Sequence, residues 1–270
     1  FDARAMAAFF EKLQRHTRVA DDGTVPGYLR SHPVTTERIA DAQNKSSGLP
    51  YKQHLDSEEF HFVRAKLRAD WGHPADAVRH FQSSLREGRF ARESAARYGL
   101  VNALVRARQG TQAQAELDRL RAGGSAGPMI ETLAARVRRA QGDVAGAASL
   151  LREARGKYPH SRPVLYAHVE ALEDLNRNQD ALAVLAEAQR LHPGDARLYS
   201  LQSRAYAALG KRLQQHQAQA EFYALQGSLP AAIEQLQLAR ASGEGDFYQL
   251  SVIDARLKAL QAQHAEGGGR

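Results

Sequence analysis

The chain of 270 residues has no cysteine, one tryptophan and two methionines. Without thiols there is neither a disulfide framework nor a Cys-ligated zinc site. No stretch approaches the roughly 18 consecutive apolar residues that a membrane span needs. Aromatic residues make up only 7%, and no basic run is interleaved with them. The stacking surface of a single-stranded nucleic-acid binder is therefore missing. The 37 Lys and Arg exceed the 30 Asp and Glu by seven. These cations are spread along the chain as on a solvated helical surface, so nucleic acid is not an expected partner. No signal peptide is visible, and the chain opens on Phe1, not Met, as a processed or cloned piece does. What remains is a soluble composition, 43% hydrophobic and 25% charged, long enough to bury a core.

From about Leu55 the sequence reads as helix after helix, with no strand alternation. A Gly or Asn that closes one helix is followed five residues later by an Ala inside the next: Gly72 with Ala77, Gly110 with Ala115, Gly142 with Ala147, Asn176 with Ala181. The turn residues lie 38, 32 and 34 apart, and Gly210 follows 34 after Asn176. That is the tetratricopeptide period. The turn favours residues that tolerate left-handed backbone, and the Ala lets two helices cross closely. Large apolar residues follow four positions after the Ala at Phe81, Leu151, Leu185 and Leu236. Pro159 and Pro193 stop a helix, and Ser161 or Asp195 is placed to cap the next. After Gly210 the phase slips, because Gly227 with Ala232 comes only 17 later. One helix is then expected to serve two hairpins. Gln215, where Ala belongs, makes the packing of that hairpin the exception to the pattern. The fold class is all-α, a tetratricopeptide-repeat solenoid, with an α-solenoid of another class as the alternative.

Such repeats bind extended peptides or helices in the concave groove lined by the first helix of each unit. Counting from the turns, the groove candidates are Phe62, Lys66, Arg97, Arg136, Arg139, Tyr166, Glu170, Glu173, Arg197 and Arg204. Arginines around Tyr166 suit an acidic or aromatic-containing segment. Each of these residues also has the plain reading of an exposed helix position.

Residues 1–50 fall outside the repeats, which are expected over 51–264, with 265–270 as a flexible tail. "DARAMAAFFEKLQRH" is an amphipathic helix with Met6, Phe9, Phe10 and Leu13 in its apolar stripe, and "VTTERIADAQNK" is a second helix. Two short helices cannot bury two adjacent Phe by themselves, so self-association or docking through this stripe is expected.

The run "GYLRSHPVTTERIADAQN", preceded by "FDARAMAAFFEKLQ", resembles the end of the metallopeptidase domain in the β-barrel assembly-enhancing protease family, related to the HtpX heat-shock protease and the prenyl-protein endopeptidases. In that family tetratricopeptide repeats follow the peptidase domain, as they do here. The resemblance implies a periplasmic zinc endopeptidase concerned with outer-membrane β-barrel proteins and their assembly machinery. It implies zinc in a longer parent and none in this chain. It makes His32 a gating or auxiliary zinc contact and places Arg38 near the same cleft. Catalysis in the family needs H-E-x-x-H, in which two His of one helix face bind zinc and the Glu activates water. None of the 11 His begins that motif, so this chain alone is expected to be inactive. The competing reading is a non-enzymatic repeat scaffold that binds peptides in its groove.

Overall fold

A computed structural model describes residues 4–20, 36–49 and 55–267. Among these residues every regular element is an α-helix. The chain resolves into two units, Phe1–Glu58 and Glu59–Arg270.

The first unit holds α1 (Ala5–Ala20) and α2 (Thr36–Ser47). Both expected helices are present and pack on each other through small contacts. Ala7, Ile39 and Ser46 are buried, and the Gln43 amide donates to Glu11 Oε1 at 3.1 Å. The Arg38 guanidinium lies 5.8 Å from the centroid of the Phe10 ring. Met6 and Phe9 are each 56% exposed and Leu13 37%. The apolar stripe read from the sequence is therefore largely outside the α1–α2 contact, which Ala7 and Ile39 make.

The second unit is a succession of helical hairpins. Helices α3 (Glu58–Asp70) and α4 (Pro74–Arg86) form the first, α5 (Glu93–Arg106) and α6 (Gly110–Ala122) the second. Helices α7 (Pro128–Ala140) and α8 (Val144–Lys157) form the third, α9 (Arg162–Asp174) and α10 (Asn178–Leu191) the fourth. Then follow α11 (Ala196–Ala208), α12 (Arg212–Leu225), α13 (Leu229–Arg240) and α14 (Phe247–Gly267). The last helix enters the expected tail as far as Gly267, and residues 268–270 lie outside the described ones.

The turns correct the sequence frame at one place. Positive φ falls on Gly72, Arg108, Gly142, Asn176 and Gly210, not on Gly110. The spacing is then 36 followed by 34 three times over. Glycine is the usual tenant of a left-handed site, and Gly110 is the glycine nearest this turn. Arg108 takes that conformation instead, with φ 58°. Gly110 opens α6 pressed against the next hairpin, where an added Cβ would stand 3.0 Å from Gln141 Cγ and 3.4 Å from the Ala140 carbonyl oxygen. The turns at Arg108, Gly142, Asn176 and Gly210 close with the same pair of bonds, as when Asn176 N–H donates to Glu173 O and Arg177 N–H to Leu172 O, both at 2.9 Å. This is the Schellman closure that satisfies the last carbonyls of a helix.

With Arg108 as the turn, the small residue of the second hairpin is Ala113, not Ala115. Ala113, Ala147, Ala181 and Ala232 have no exposed surface, while Ala115 faces solvent. Phe81, Leu117, Leu151, Leu185 and Leu236 are buried at the next position along the same face. Each such side chain stabilises by roughly 1.5–3 kcal/mol. In the first hairpin the Phe81 ring lies over Gly99, where a Cβ would stand 2.4 Å from it.

Gln215 does not loosen its hairpin. The Ser203 hydroxyl donates to the Gln215 backbone carbonyl at 3.1 Å, and Ser203 and Ala205 are buried on α11. Helix α12 packs on both α11 and α13, as the half-repeat slip predicts. Asp195 caps α11, accepting from Arg197 N–H at 3.1 Å. Ser161 occupies the cap position of α9 without a side-chain bond. No described helix is long and apolar enough to cross a membrane.

Candidate peptide-binding groove

First helices of successive hairpins lie side by side and turn a row of side chains to one face. A cleft of about 310 Å³ opens there, lined by Lys66 of α3, Tyr98 of α5, Arg136 of α7, Tyr166 and Glu170 of α9 and Arg197 of α11. Five helices thus contribute to one recess. Its residues stand mostly six and ten positions before the left-handed turn residue of their own hairpin. The six-before row runs Lys66, Asn102, Arg136, Glu170, Arg204, and the ten-before row runs Phe62, Tyr98, Thr132, Tyr166.

Five of the ten groove candidates meet in this cleft: Lys66, Arg136, Tyr166, Glu170 and Arg197. Phe62 does not present itself there. It is 2% exposed and stacks on Tyr98 with ring centroids 4.6 Å apart, so it belongs to the core. Arg97 turns away to its own hairpin partner, bonding Glu116 of α6 at 2.8 Å and Glu93 at 2.7 Å. Arg139, Glu173 and Arg204 join neighbouring first helices. Arg139 pairs with Asp174, and Arg204 with Glu173 at 2.7 Å. Beside the lining residues Thr132, Leu133, Pro163 and Ala167, two residues of the second hairpin are absent from the sequence-based candidates, Tyr98 and Asn102. Both sit at the row positions once Arg108 is taken as the turn, and counting from Gly110 skipped them.

The cleft is electrically crowded. The Arg197 guanidinium lies 4.7 Å from the Tyr166 ring centroid and donates to Glu170 Oε1 at 2.8 Å. Tyr166 donates its hydroxyl to Asp195. Burial first, and then that carboxylate, push the phenol up to about 12, so it remains a proton donor. Lys66 pairs with Asp70. Burial pushes the Glu173 carboxyl above its ordinary value, with Arg204 opposing. Arg136 differs. It donates to the amide oxygen of Asn102, which is fully buried and donates in turn to the Tyr98 carbonyl at 2.8 Å. Among the described residues no carboxylate pairs with Arg136. The cleft therefore holds one oriented guanidinium with capacity for an incoming acid, flanked by aromatic faces.

His32 lies outside the described residues. Among those described, no three His, Cys, Asp or Glu side chains gather in the way a metal ion requires, so they do not by themselves fit zinc.

The tetratricopeptide repeat family model matches residues 138–205. The chain is 27% identical over 263 residues to the β-barrel assembly-enhancing protease of Escherichia coli K12, a match covering 97% of this chain and 53% of that protein. The protein of the same name from Yersinia pestis is 26% identical over 263 residues, covering 97% and 54%. A tetratricopeptide repeat protein from Parabacteroides merdae matches 75% of this chain and 98% of its own at 13% identity, with a TM-score of 0.39, too low to relate the two shapes. The chain contains tetratricopeptide repeats, matched over residues 138–205, and is similar to β-barrel assembly-enhancing proteases along nearly its whole length while spanning about half the length of those relatives.

Proposed function

We propose that this chain captures an extended, acid-containing protein segment in the cleft of its first helices, on behalf of a zinc metalloendopeptidase of outer-membrane β-barrel assembly. The observation that carries the reading is Arg136. It is held in place by Asn102 and lies among Tyr98, Tyr166 and Arg197, in a cleft where the other lining cations already have acids. An incoming carboxylate gains a charge-assisted bond to a guanidinium whose orientation is already fixed, which reduces the ordering cost of binding. The similarity to proteases named for β-barrel assembly supports unfolded barrel polypeptides as the cargo and the bacterial envelope as the location. The peptidase chemistry, its zinc and the role of His32 beside it belong to the same proposal for a longer protein. The 270 residues contain no H-E-x-x-H.

A fluorescein-labelled outer-membrane β-barrel polypeptide, held unfolded in dilute urea, tests this by anisotropy. Arg136→Ala should weaken binding by about tenfold, the value of one charge-assisted contact. Arg190→Ala, on the second helix α10 where the side chain donates to the Ala186 carbonyl at 3.4 Å, should change it less than about twofold. Equal effects of the two substitutions would remove the groove from the account.

A further inference from the structure

A second cleft, sharing no lining residue with the concave one, lies between α3, α4 and the start of α5. Its volume is about 350 Å³. His61, Arg64 and Arg68 come to it from one face of α3, at the three- and four-residue spacing that stacks side chains on a helix. His80 comes from α4, and Arg92 stands at the head of α5. Among the described residues no carboxylate lines the cleft. Among the described residues none pairs with Arg64, Arg68 or Arg92, although most arginines of the repeat unit are bonded to an acid. Arg64 and Arg68, four apart, repel one another. The head of α5 adds backbone donors, beside a first-turn Glu93 carboxylate that is taken up by Arg97 at 2.7 Å. Arg92 is extended there and makes no side-chain cap, so the first-turn N–H groups have no side-chain acceptor at the positive end of the helix dipole. The floor is apolar, with Phe81, Ala65, Ala95 and Ala96 all buried. Burial, and then Arg68, hold the His80 imidazole below its usual value.

We propose that this cleft binds a phosphate-bearing ligand through Arg64, Arg68 and Arg92. Guanidinium forks and an open helix start are the groups that match the several oxygens of a phosphate. The apolar floor and the Phe90 rim leave space for an organic group attached to it. A single carboxylate would satisfy one of the three guanidinium groups and leave the others facing each other.

Calorimetric titration of the whole chain with inorganic pyrophosphate at near-physiological salt tests this. Saturable one-to-one binding is expected, weakened at least about tenfold in R64A/R68A. Arg152→Ala, in the separate cleft between α8 and α10, should change it less than about twofold. Should R64A/R68A melt early, Arg92→Ala carries the same expectation of weakened binding from a side chain at the surface. Sedimentation with phosphatidylglycerol–phosphatidylcholine vesicles then separates the sources. Binding of both probes, lost in the same variants, assigns a lipid headgroup, and binding of pyrophosphate alone assigns a soluble phosphate. No saturable pyrophosphate binding, equal loss in Arg152→Ala, or binding of polyglutamate that pyrophosphate does not displace would each overturn the proposal.

Discussion

In the α9–α10 hairpin the small residue at the crossing is Ala181 on the second helix, with no exposed surface. In α11–α12 the equivalent position is Gln215, half-buried, and the smaller residue stands opposite, as Ser203 on the first helix where α9 has the buried Val169. Both hairpins bring their backbones close, and Ser203 even reaches the Gln215 carbonyl. A tetratricopeptide hairpin therefore needs one small side at its crossing, and either helix can supply it. The difference has a consequence next door. Freed from the usual face, α12 buries Leu213, Ala218 and Ala220 and packs on α13 as well as α11, which allows the half-repeat slip.

The strongest way to break this comparison is to enlarge each crossing. Ala181→Leu and Ser203→Leu should each cost about 2–3 kcal/mol, because three and two extra heavy atoms, respectively, enter a filled site. A urea titration reads both, and a cost under 1 kcal/mol at Ser203 would mean that α11 is not the small side.

The two hairpins also differ eight residues before their turns, where α9 carries the buried His168 and α11 carries Gln202, bonded to Gln189 at 2.9 Å. Burial first, then Arg155, Arg152 and Arg177, lower the His168 imidazole to about 4. The unfolded chain takes up the proton near the ordinary histidine value and the folded chain does not. The contribution is present above about pH 6.5 and is lost as pH falls to about 4. The loss should be on the order of 2 kcal/mol. Urea midpoints at pH 7.5 and 5 should differ less in His168→Leu than in the parent, and an equal difference in both proteins would show the imidazole already charged in the fold.

A smaller effect sharpens the turns. Arg108 and Asn176 share φ near 57°, but only asparagine is at ease there. Arg108→Gly should raise stability by about 1 kcal/mol and Asn176→Gly by less, both read as a shift in melting temperature. The smallest effect belongs to Gln215→Ala, which should stay within about 0.5 kcal/mol. A gain well above that would mean the crossing wanted alanine after all.

The period, the helix order and the shared α12 were legible because they rest on residue types with one dominant use, Gly, Asn, Ala and Pro at hairpin positions. The frame at the second hairpin was not. An arginine holds the left-handed turn, and the glycine two residues on serves close approach to Gln141 instead. That shift of two positions hid Tyr98 and Asn102 and put Arg97 in the groove. Phe62 illustrates a second limit. It shares its row with Tyr166, but stacking on Tyr98 takes it into the core, and a row position alone does not reveal which neighbour fills it. The pairing of Arg136 with an amide and not an acid depends on a residue 34 positions away, and only the folded chain brings the two together.

The most direct test of the central claim places a photoreactive benzophenone side chain at Thr132, which lines the concave cleft, and in a second variant at Arg190 on α10. Each is irradiated with the purified unfolded barrel polypeptide. Cross-linking from position 132, suppressed when Arg136→Ala is added, and little from position 190, is the result the account predicts. Equal cross-linking from both positions, indifferent to Arg136, would contradict it.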